Sequence, residues 1–153
     1  MRVAYVEPFV RAARDVFKLM MDLEATRGEL WACDELMPSK EASVAIGVTG
    51  DLLGSILYSF PKEMTLKMVE IMSGMAIEEL DSFVASALGE VANIISGNAV
   101  THLSNNNYNC NIVPPQIVLG KNVSLSMASK RALVVPMETR IGQFDIFITL
   151  SER

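Results

Sequence analysis

The sequence predicts an α+β domain in which long helices pack on one side of a largely antiparallel sheet. Two segments carry apolar residues at helical spacing, and between them a segment alternates apolar and polar residues around a glycine-containing turn. Further strand-like segments follow the second of these helices. The chain has 153 residues, and since one hydrophobic core usually holds about 100–200 residues, we expect residues 1–153 to form a single domain.

The first part of the chain predicts a helix followed by a hairpin. Pro8 suits the first turn of a helix, and apolar residues at helical spacing follow it. These residues are Phe9, Ala12, Ala13, Val16, Phe17, Leu19 and Met20. Residues 24–41 are charged and rich in turn formers, and we interpret them as a connection or a short irregular strand. Residues 42–49 and 52–60 alternate on either side of a Gly-Asp turn, which predicts a β-hairpin.

The rest of the chain predicts two helices and then strands. Residues 62–73 lie between Pro61 and Gly74, which are typical start and stop signals of a helix. A longer helix is predicted at about 77–103, and the polar segment 104–111 predicts a loop. The predicted strands that follow are 117–119, 128–136 and 144–150, the last two joined by a turn at Gly142. A helix followed by paired strands thus occurs twice, which indicates a pseudo-repeat.

Composition excludes several kinds of protein. The chain has 13 Lys and Arg against 18 Asp and Glu, and a pI near 4.9, whereas nucleic-acid-binding domains usually carry a basic patch. One His and two Cys leave few ligands for a metal centre. Charges interrupt the N-terminal segment, and no apolar run approaches the roughly 20 residues that span a bilayer. We therefore expect a cytoplasmic protein that binds neither nucleic acid nor membrane, with Cys33 and Cys110 as reduced thiols.

The predicted helix at 77–103 has two unlike faces. The apolar face, which we expect to point to the core, contains Leu80, Phe83, Val84, Ala87, Leu88, Val91, Ile94 and Ile95. The opposite face contains Ser82, Ala85, Ser86, Gly89, Asn93, Ser96 and Gly97, with Glu90 at its border. A solvated helix face normally carries long charged residues, and each glycine costs about 1 kcal/mol relative to alanine. Small residues suit close approach by a partner protein or by another helix of the same chain, and composition alone favours neither.

Three residues of this helix form a motif. Ser86, Glu90 and Asn93 have the spacing Asp/Ser-x-x-x-Glu-x-x-Asn, and with it the chain resembles the CheC/CheX/FliY family of chemotaxis phosphatases over nearly its whole length. Other segments also resemble that family, namely Met72-Ser73-Gly74-Met75, the hairpin at 42–60 and Pro114-Pro115. The first helix has no Glu-x-x-Asn pair. A single motif is similar to the CheX type, whereas CheC-type members typically carry two.

One further spacing agrees with the family pattern. The family places a proline about twenty-two residues after the asparagine, and Pro115 stands at that distance from Asn93, with Pro114 directly before it.

The resemblance implies an activity and roles for these residues. The family removes the phosphoryl group from an aspartate of the response regulator CheY. On this resemblance, Asn93 orients the attacking water, and Glu90 pairs with the partner's active-site lysine. The candidates for contact with the partner are Ser86, Gly89 and Gly97. No cofactor is implied in this chain, because the Mg²⁺ would belong to the regulator, and CheX-type members are often homodimers joined through sheet edges.

Two alternatives stay open. One is a non-catalytic adaptor of the same fold that docks on signalling or flagellar-switch proteins. The other is an unrelated α+β domain with a chance motif. His102, near the end of the long helix, is more typical of a packed or capping residue than of a catalytic base.

The negative charge is concentrated near the motif. No Lys or Arg lies between Lys67 and Lys121, and the acids in this interval are Glu70, Glu78, Glu79, Asp81 and Glu90. These five residues account for the whole net charge of −5. A local negative field of this kind favours a partner that presents a lysine.

Overall fold

The computed structural model describes residues 3–33, 37–38, 40–120, 124–125 and 131–153. Within these ranges, three helices and an eight-stranded antiparallel sheet form an α+β domain, which confirms the predicted fold class. The helices are α1 (Val3–Met21), α2 (Lys62–Ser73) and α3 (Ser82–Asn105). The strands are β1 (Thr26–Arg27), β2 (Trp31–Cys33), β3 (Met37–Pro38), β4 (Ala42–Gly50), β5 (Leu52–Phe60), β6 (Cys110–Ile112), β7 (Gln116–Leu119), β8 (Ser124–Leu125), β9 (Ala132–Thr139) and β10 (Gly142–Glu152).

Two long hairpins form the centre of the sheet. β4 pairs with β5, β9 pairs with β10, and β10 joins the hairpins by pairing with β5. The register places Ile46 and Ile148 on either side of Ile56, and all three are fully buried. β6 and β7 extend the sheet beyond β4, and β1 and β2 extend it beyond β9. β3 and β8 pair with each other in a separate two-stranded sheet.

The helices pack against one face of this sheet. α1 and α3 contact each other, and their apolar residues join those of β4, β5 and β10 in one core. Phe144 of β10 stacks on Phe17 of α1 and on Phe60 of β5, with ring centroids 4.8 Å apart in both pairs. α1 precedes the β4–β5 hairpin and α3 precedes the β9–β10 hairpin, so the order of elements follows the expected repeat.

Two helix starts differ from the prediction. α1 begins at Val3, so Pro8 lies inside the helix rather than at its start. The missing N–H of Pro8 removes one main-chain hydrogen bond, and burial of the apolar face of α1 offsets that loss. α3 begins at Ser82 rather than near residue 77, because the Asp81 carboxylate caps it by accepting a hydrogen bond from the Val84 N–H at 3.0 Å.

The segments after α3 also differ in part. The last residues of α3 and strand β6 occupy much of the predicted loop at 104–111, because β6 finds a partner in the edge of β4. β9 ends at Thr139, three residues later than predicted, and the predicted residues 128–130 lie outside the described ranges. The turn between β9 and β10 is formed by Arg140 and Ile141, and Gly142 is the first residue of β10.

By length and composition, α3 is the one described helix that passes the test for crossing a membrane. Nine of its 24 residues are buried inside the domain. The core helix of a globular domain passes the same test, so length and composition alone do not indicate a membrane span.

Candidate active site

The position of α3 decides which part of the motif reaches the surface. Asp81 fixes where the helix begins, and contacts with α1 and the sheet hold one side of it. The buried apolar residues of that side are Val84, Leu88, Val91, Ala92, Ile95, Ala99 and Leu103. At 100° per residue, Glu90 lies opposite the middle of this buried side. The middle of the motif therefore projects away from the core.

Glu90 and Asn93 lie side by side on the exposed side of α3. Glu90 is exposed and Asn93 is half-buried. Because residues three apart on a helix have Cβ atoms roughly 5–6 Å apart, both side chains can reach the same partner group. Neither side chain makes a hydrogen bond or an ion pair with any residue in the described ranges. Both polar groups are therefore free to bind a partner.

Ser86 and Gly97 flank this pair. Ser86 is exposed one turn before Glu90, and Gly97 is half-buried about one turn after Asn93. A Cβ added at Gly97 would meet no atom within 4 Å. Packing inside the chain therefore does not require a glycine here, although glycine weakens a helix by about 1 kcal/mol relative to alanine. The surface beside Asn93 therefore carries no side chain at Gly97, although the described packing leaves room for one.

Gly89 differs from Gly97, because it is buried by the chain itself. A Cβ at Gly89 would lie 3.0 Å from Ile117 Cδ1 and 3.8 Å from Pro115 Cγ. β7 and the residue before it therefore pack directly on α3, and a side chain at residue 89 would require Ile117 to shift by a few tenths of an ångström. The expectation that Gly89 lies on the outer face is wrong. Pro115, at the position of the proline in the family pattern, thus reaches the helix next to the motif.

Ser96 and Phe83 also lie on the opposite side from the one predicted. Ser96 is fully buried, and its hydroxyl lies 2.8 Å from the hydroxyl of Tyr58 on β5. Burial raises the pKa of the Tyr58 phenol well above its usual range, so this group stays protonated. Phe83, which was expected in the core, is 44% exposed. The strands contact α3 at Ser96 through Tyr58 and at Gly89 through Ile117, and at 100° per residue Phe83 lies roughly 120–140° around the helix from these two positions.

The surface around the N-terminal half of α3 is acidic. All five acids of the cation-free interval are exposed: Glu70, Glu78, Glu79, Asp81 and Glu90. None of them is in an ion pair with another residue that the structure describes. Glu70 nevertheless lines a groove together with Lys67 and Arg140, so the negative field is strongest from Glu78 to Glu90.

The described residues were also compared with the requirements of a metal site or a histidine base. No group of three or more His, Cys, Asp or Glu among them is placed to hold a metal ion. His102 is half-buried in the last turn of α3, about 14 Å along the helix axis from Asn93. The pair on α3 is thus the candidate site.

Sequence reasoning missed the residues that support this site from within. Tyr58 holds α3 to the sheet through Ser96, and Ile117 packs on Gly89. No local pattern marks either contact, because the partners are far apart in the sequence. Pro115 could be identified from the sequence, because it stands where the family pattern has a proline.

Comparison with known proteins gives consistent results. The family model described as chemotaxis phosphatase CheX matches residues 42–138. The CheY-P phosphatase CheX of Thermotoga maritima is 27% identical over 121 residues, which cover 78% of each chain. A CheC-like superfamily protein from Shewanella sp. PV-4 has a TM-score of 0.90 and 25% identity, over 99% of each chain. A chain of the CheX–CheY–BeF₃–Mg²⁺ complex from Borrelia burgdorferi has a TM-score of 0.82 and 30% identity, over 99% of this chain and 100% of that one.

Proposed function

We propose that this chain, which belongs to the CheX family of chemotaxis phosphatases, uses Glu90 and Asn93 to remove the phosphoryl group from an aspartate of a CheY-type response regulator. The family and the relative named CheY-P phosphatase CheX give the activity. The complex that contains CheX and CheY supports a CheY-type partner. The single observation that carries the residue roles is the exposed, unpaired Glu90–Asn93 pair on α3.

The substrate explains why so few catalytic groups are needed. An aspartyl phosphate is a mixed anhydride and is already labile, so the phosphatase need not supply a covalent nucleophile. The water oxygen bonds to phosphorus while the bond between phosphorus and the carboxylate oxygen breaks. The aspartate leaves as a carboxylate, and both protons of the water stay on the released phosphate. The main requirement is a water held in line with the breaking bond.

Asn93 holds this water. A carboxamide donates and accepts hydrogen bonds and stays neutral at any physiological pH, so it orients water without repelling the phosphoryl group. Asn93 is half-buried and has no competing partner among the described residues. Its amide is therefore restricted in direction and still available to a water.

Glu90 binds the lysine of the regulator's active site. A carboxylate and an ammonium form a charge-assisted hydrogen bond, which is about twice as strong as a neutral one. This contact places the phosphoryl group over Asn93 one helical turn away. The Mg²⁺ that neutralises the phosphoryl charge belongs to the regulator, and this chain supplies no cofactor.

The residues next to the pair let the regulator approach closely. Ser86 is a polar contact at one end, and Gly97 keeps the helix surface low at the other. Gly89 acts from inside the chain, because it lets β7 pack on α3 beneath the motif.

The remaining proposals concern the protein as a whole. Residues 1–153 form one CheX-like domain, and the protein works in the cytoplasm. Two copies join through sheet edges as a homodimer. The acidic surface around α3 supports a protein partner that presents cations rather than a nucleic acid.

Phosphate release from a phosphorylated CheY-type regulator tests the residue roles. Asn93→Ala is expected to abolish stimulated dephosphorylation and to leave the thermal unfolding midpoint within about 2 °C, since the side chain makes no internal hydrogen bond. Asn98→Ala is the matched control, because Asn98 is an exposed asparagine of the same helix, and its activity should be unchanged. Full activity in Asn93→Ala would contradict the assignment.

A binding measurement separates the phosphatase from an adaptor. The wild-type chain is mixed with a regulator activated by beryllofluoride, and the same regulator is assayed for phosphate loss. Binding without faster phosphate loss would favour the adaptor.

A further inference from the structure

An open groove lies beside Glu90, where the C-terminal parts of α1 and α2 meet the N-terminal half of α3. Its volume is about 320 Å³. The residues that line it are Met20, Val69, Met72, Ser73, Phe83, Ala87 and Glu90. The lining is mainly apolar, and its one charged residue is Glu90. The groove and the candidate active site therefore share a side chain.

Exposed apolar residues lie in the groove wall and close in sequence to residues that line it. Phe83 forms part of its wall and is 44% exposed, although a large aromatic side chain usually finds cover in a folded protein. Leu19, next to Met20 in sequence, is 85% exposed, and Met75, two residues after Ser73, is 52% exposed. An exposed aromatic side chain in the wall of an apolar groove is typical of a place where another protein binds.

The charges near the groove favour a cationic partner. Glu90 lies in the groove wall, and Glu78, Glu79 and Asp81 are exposed on the connection between α2 and α3, two of the helices that line it. Lys18 is near in sequence on α1, but its ammonium lies 3.1 Å from Asp22 and 3.1 Å from Glu24. An apolar side chain between basic residues matches this surface in both polarity and charge.

We propose that the groove binds an apolar side chain of the phosphorylated response regulator, next to the lysine that pairs with Glu90. The inference rests on the proposed function, since it takes the regulator as the partner. A regulator whose lysine contacts Glu90 lies directly beside the groove, because Glu90 is part of its wall. The polar pair then carries out the reaction, and the groove determines which regulators bind tightly, as buried apolar anchors do at other interfaces.

Kinetics with a regulator phosphorylated by acetyl phosphate test this division. Phe83→Ser is expected to raise KM about tenfold and to change kcat less than twofold. The reason is that Phe83 would contact the regulator's apolar side chain and add affinity, without contacting the reacting atoms. Ile71→Ser is the matched control. Ile71 is 41% exposed on α2, but it lines a different groove with Lys67 and Arg140, so its KM should stay at the wild-type value.

A second substitution tests the same groove by filling it. Ala87→Trp fills the groove instead of removing its wall, and it should also raise KM at least tenfold. An unchanged KM in both Phe83→Ser and Ala87→Trp would overturn the proposal that the groove binds the regulator. The phosphatase assignment would still stand in that case, because both variants would have wild-type activity. A halved sedimentation mass in Phe83→Ser with unchanged KM would also overturn it, because the groove would then bind a second copy. Loss of kcat in Asn93→Ala tests the proposed function separately.

Discussion

The Ser96 hydroxyl lies 2.8 Å from the phenol oxygen of Tyr58, in a fully buried contact between α3 and β5. Ser96 is three residues after Asn93, on a neighbouring side of the same helix turn. This hydrogen bond is one of the few polar contacts in the core, and it helps to set how α3 is rotated on the sheet. The direction in which Asn93 points therefore depends on a residue of the sheet.

Replacing Tyr58 with phenylalanine tests this contact. Tyr58→Phe removes the phenol and leaves the buried Ser96 hydroxyl without its partner, so the free energy of unfolding should fall by roughly 1–3 kcal/mol. Urea unfolding measures the change. Tyr108→Phe is the control, because the Tyr108 hydroxyl makes an exposed 3.3 Å hydrogen bond with Glu152, and its removal should cost less than about 0.5 kcal/mol.

The same variant predicts a change in alkaline stability. The Tyr58 pKa is raised in the folded protein, whereas in the unfolded chain the phenol ionises near its ordinary value of about 10. Above that pH the unfolded chain has lost the proton that the folded protein keeps, so stability falls as pH rises. Tyr58→Phe should lose less stability than wild type between about pH 9.5 and 11.5. Equal slopes in the two proteins would contradict the burial of an unionised phenol.

Replacing Gly89 and replacing Gly97 with alanine are expected to have different effects on stability. Both Gly→Ala changes gain the same helix propensity, so the difference between them reports packing. Gly89→Ala places a Cβ 3.0 Å from Ile117, whereas Gly97→Ala meets open space. Gly89→Ala should therefore be less stable than Gly97→Ala by roughly 1–3 kcal/mol, as measured by urea unfolding.

Activity in the glycine variants provides a second test. Gly97→Ala should be at least as stable as wild type and still lose about tenfold in kcat/KM, since even one methyl group blocks close approach of a partner. A stable Gly97→Ala variant with wild-type kcat/KM would show that the low surface at this position has no role in docking.

Glu90→Gln tests the proposed contact with the regulator's lysine. The amide keeps the size of the side chain and removes its charge, so kcat/KM should fall about 10- to 100-fold through loss of a charge-assisted hydrogen bond. Glu79→Gln removes one charge from the same acidic surface and is expected to change kcat/KM less than threefold. Equal losses in the two variants would indicate a general field effect instead of a specific pair.

The sequence predicted the fold class, the family and the activity, and all three are confirmed. The predictions succeeded where the signal is local. Pro61 and Gly74 mark the two ends of α2, as expected. The N–H of Gly74 donates a hydrogen bond of 2.8 Å to the Glu70 carbonyl at the end of the helix. The roles of Glu90 and Asn93 stay predictions.

The predictions failed where distant residues decide the outcome. An asparagine-rich segment became β6, because the edge of β4 accepts it. Apolar spacing also placed Phe83 in the core and Ser96 outside, and the structure has them reversed. Helical periodicity assigns residues to a buried or exposed face by their polarity. It therefore does not detect the contact of Ser96 with Tyr58 on a strand or the packing of Ile117 on Gly89.

The capped helix α3 carries both proposed catalytic residues, and this makes the pair transferable. The distance between Glu90 and Asn93 depends only on the pitch of one helix, so no loop closure or domain movement is needed to bring them together. The same two residues on an exposed helix of another scaffold would keep their spacing. Such a graft would not reproduce the groove or the low surface beside Asn93, and for this reason we expect it to bind regulators poorly.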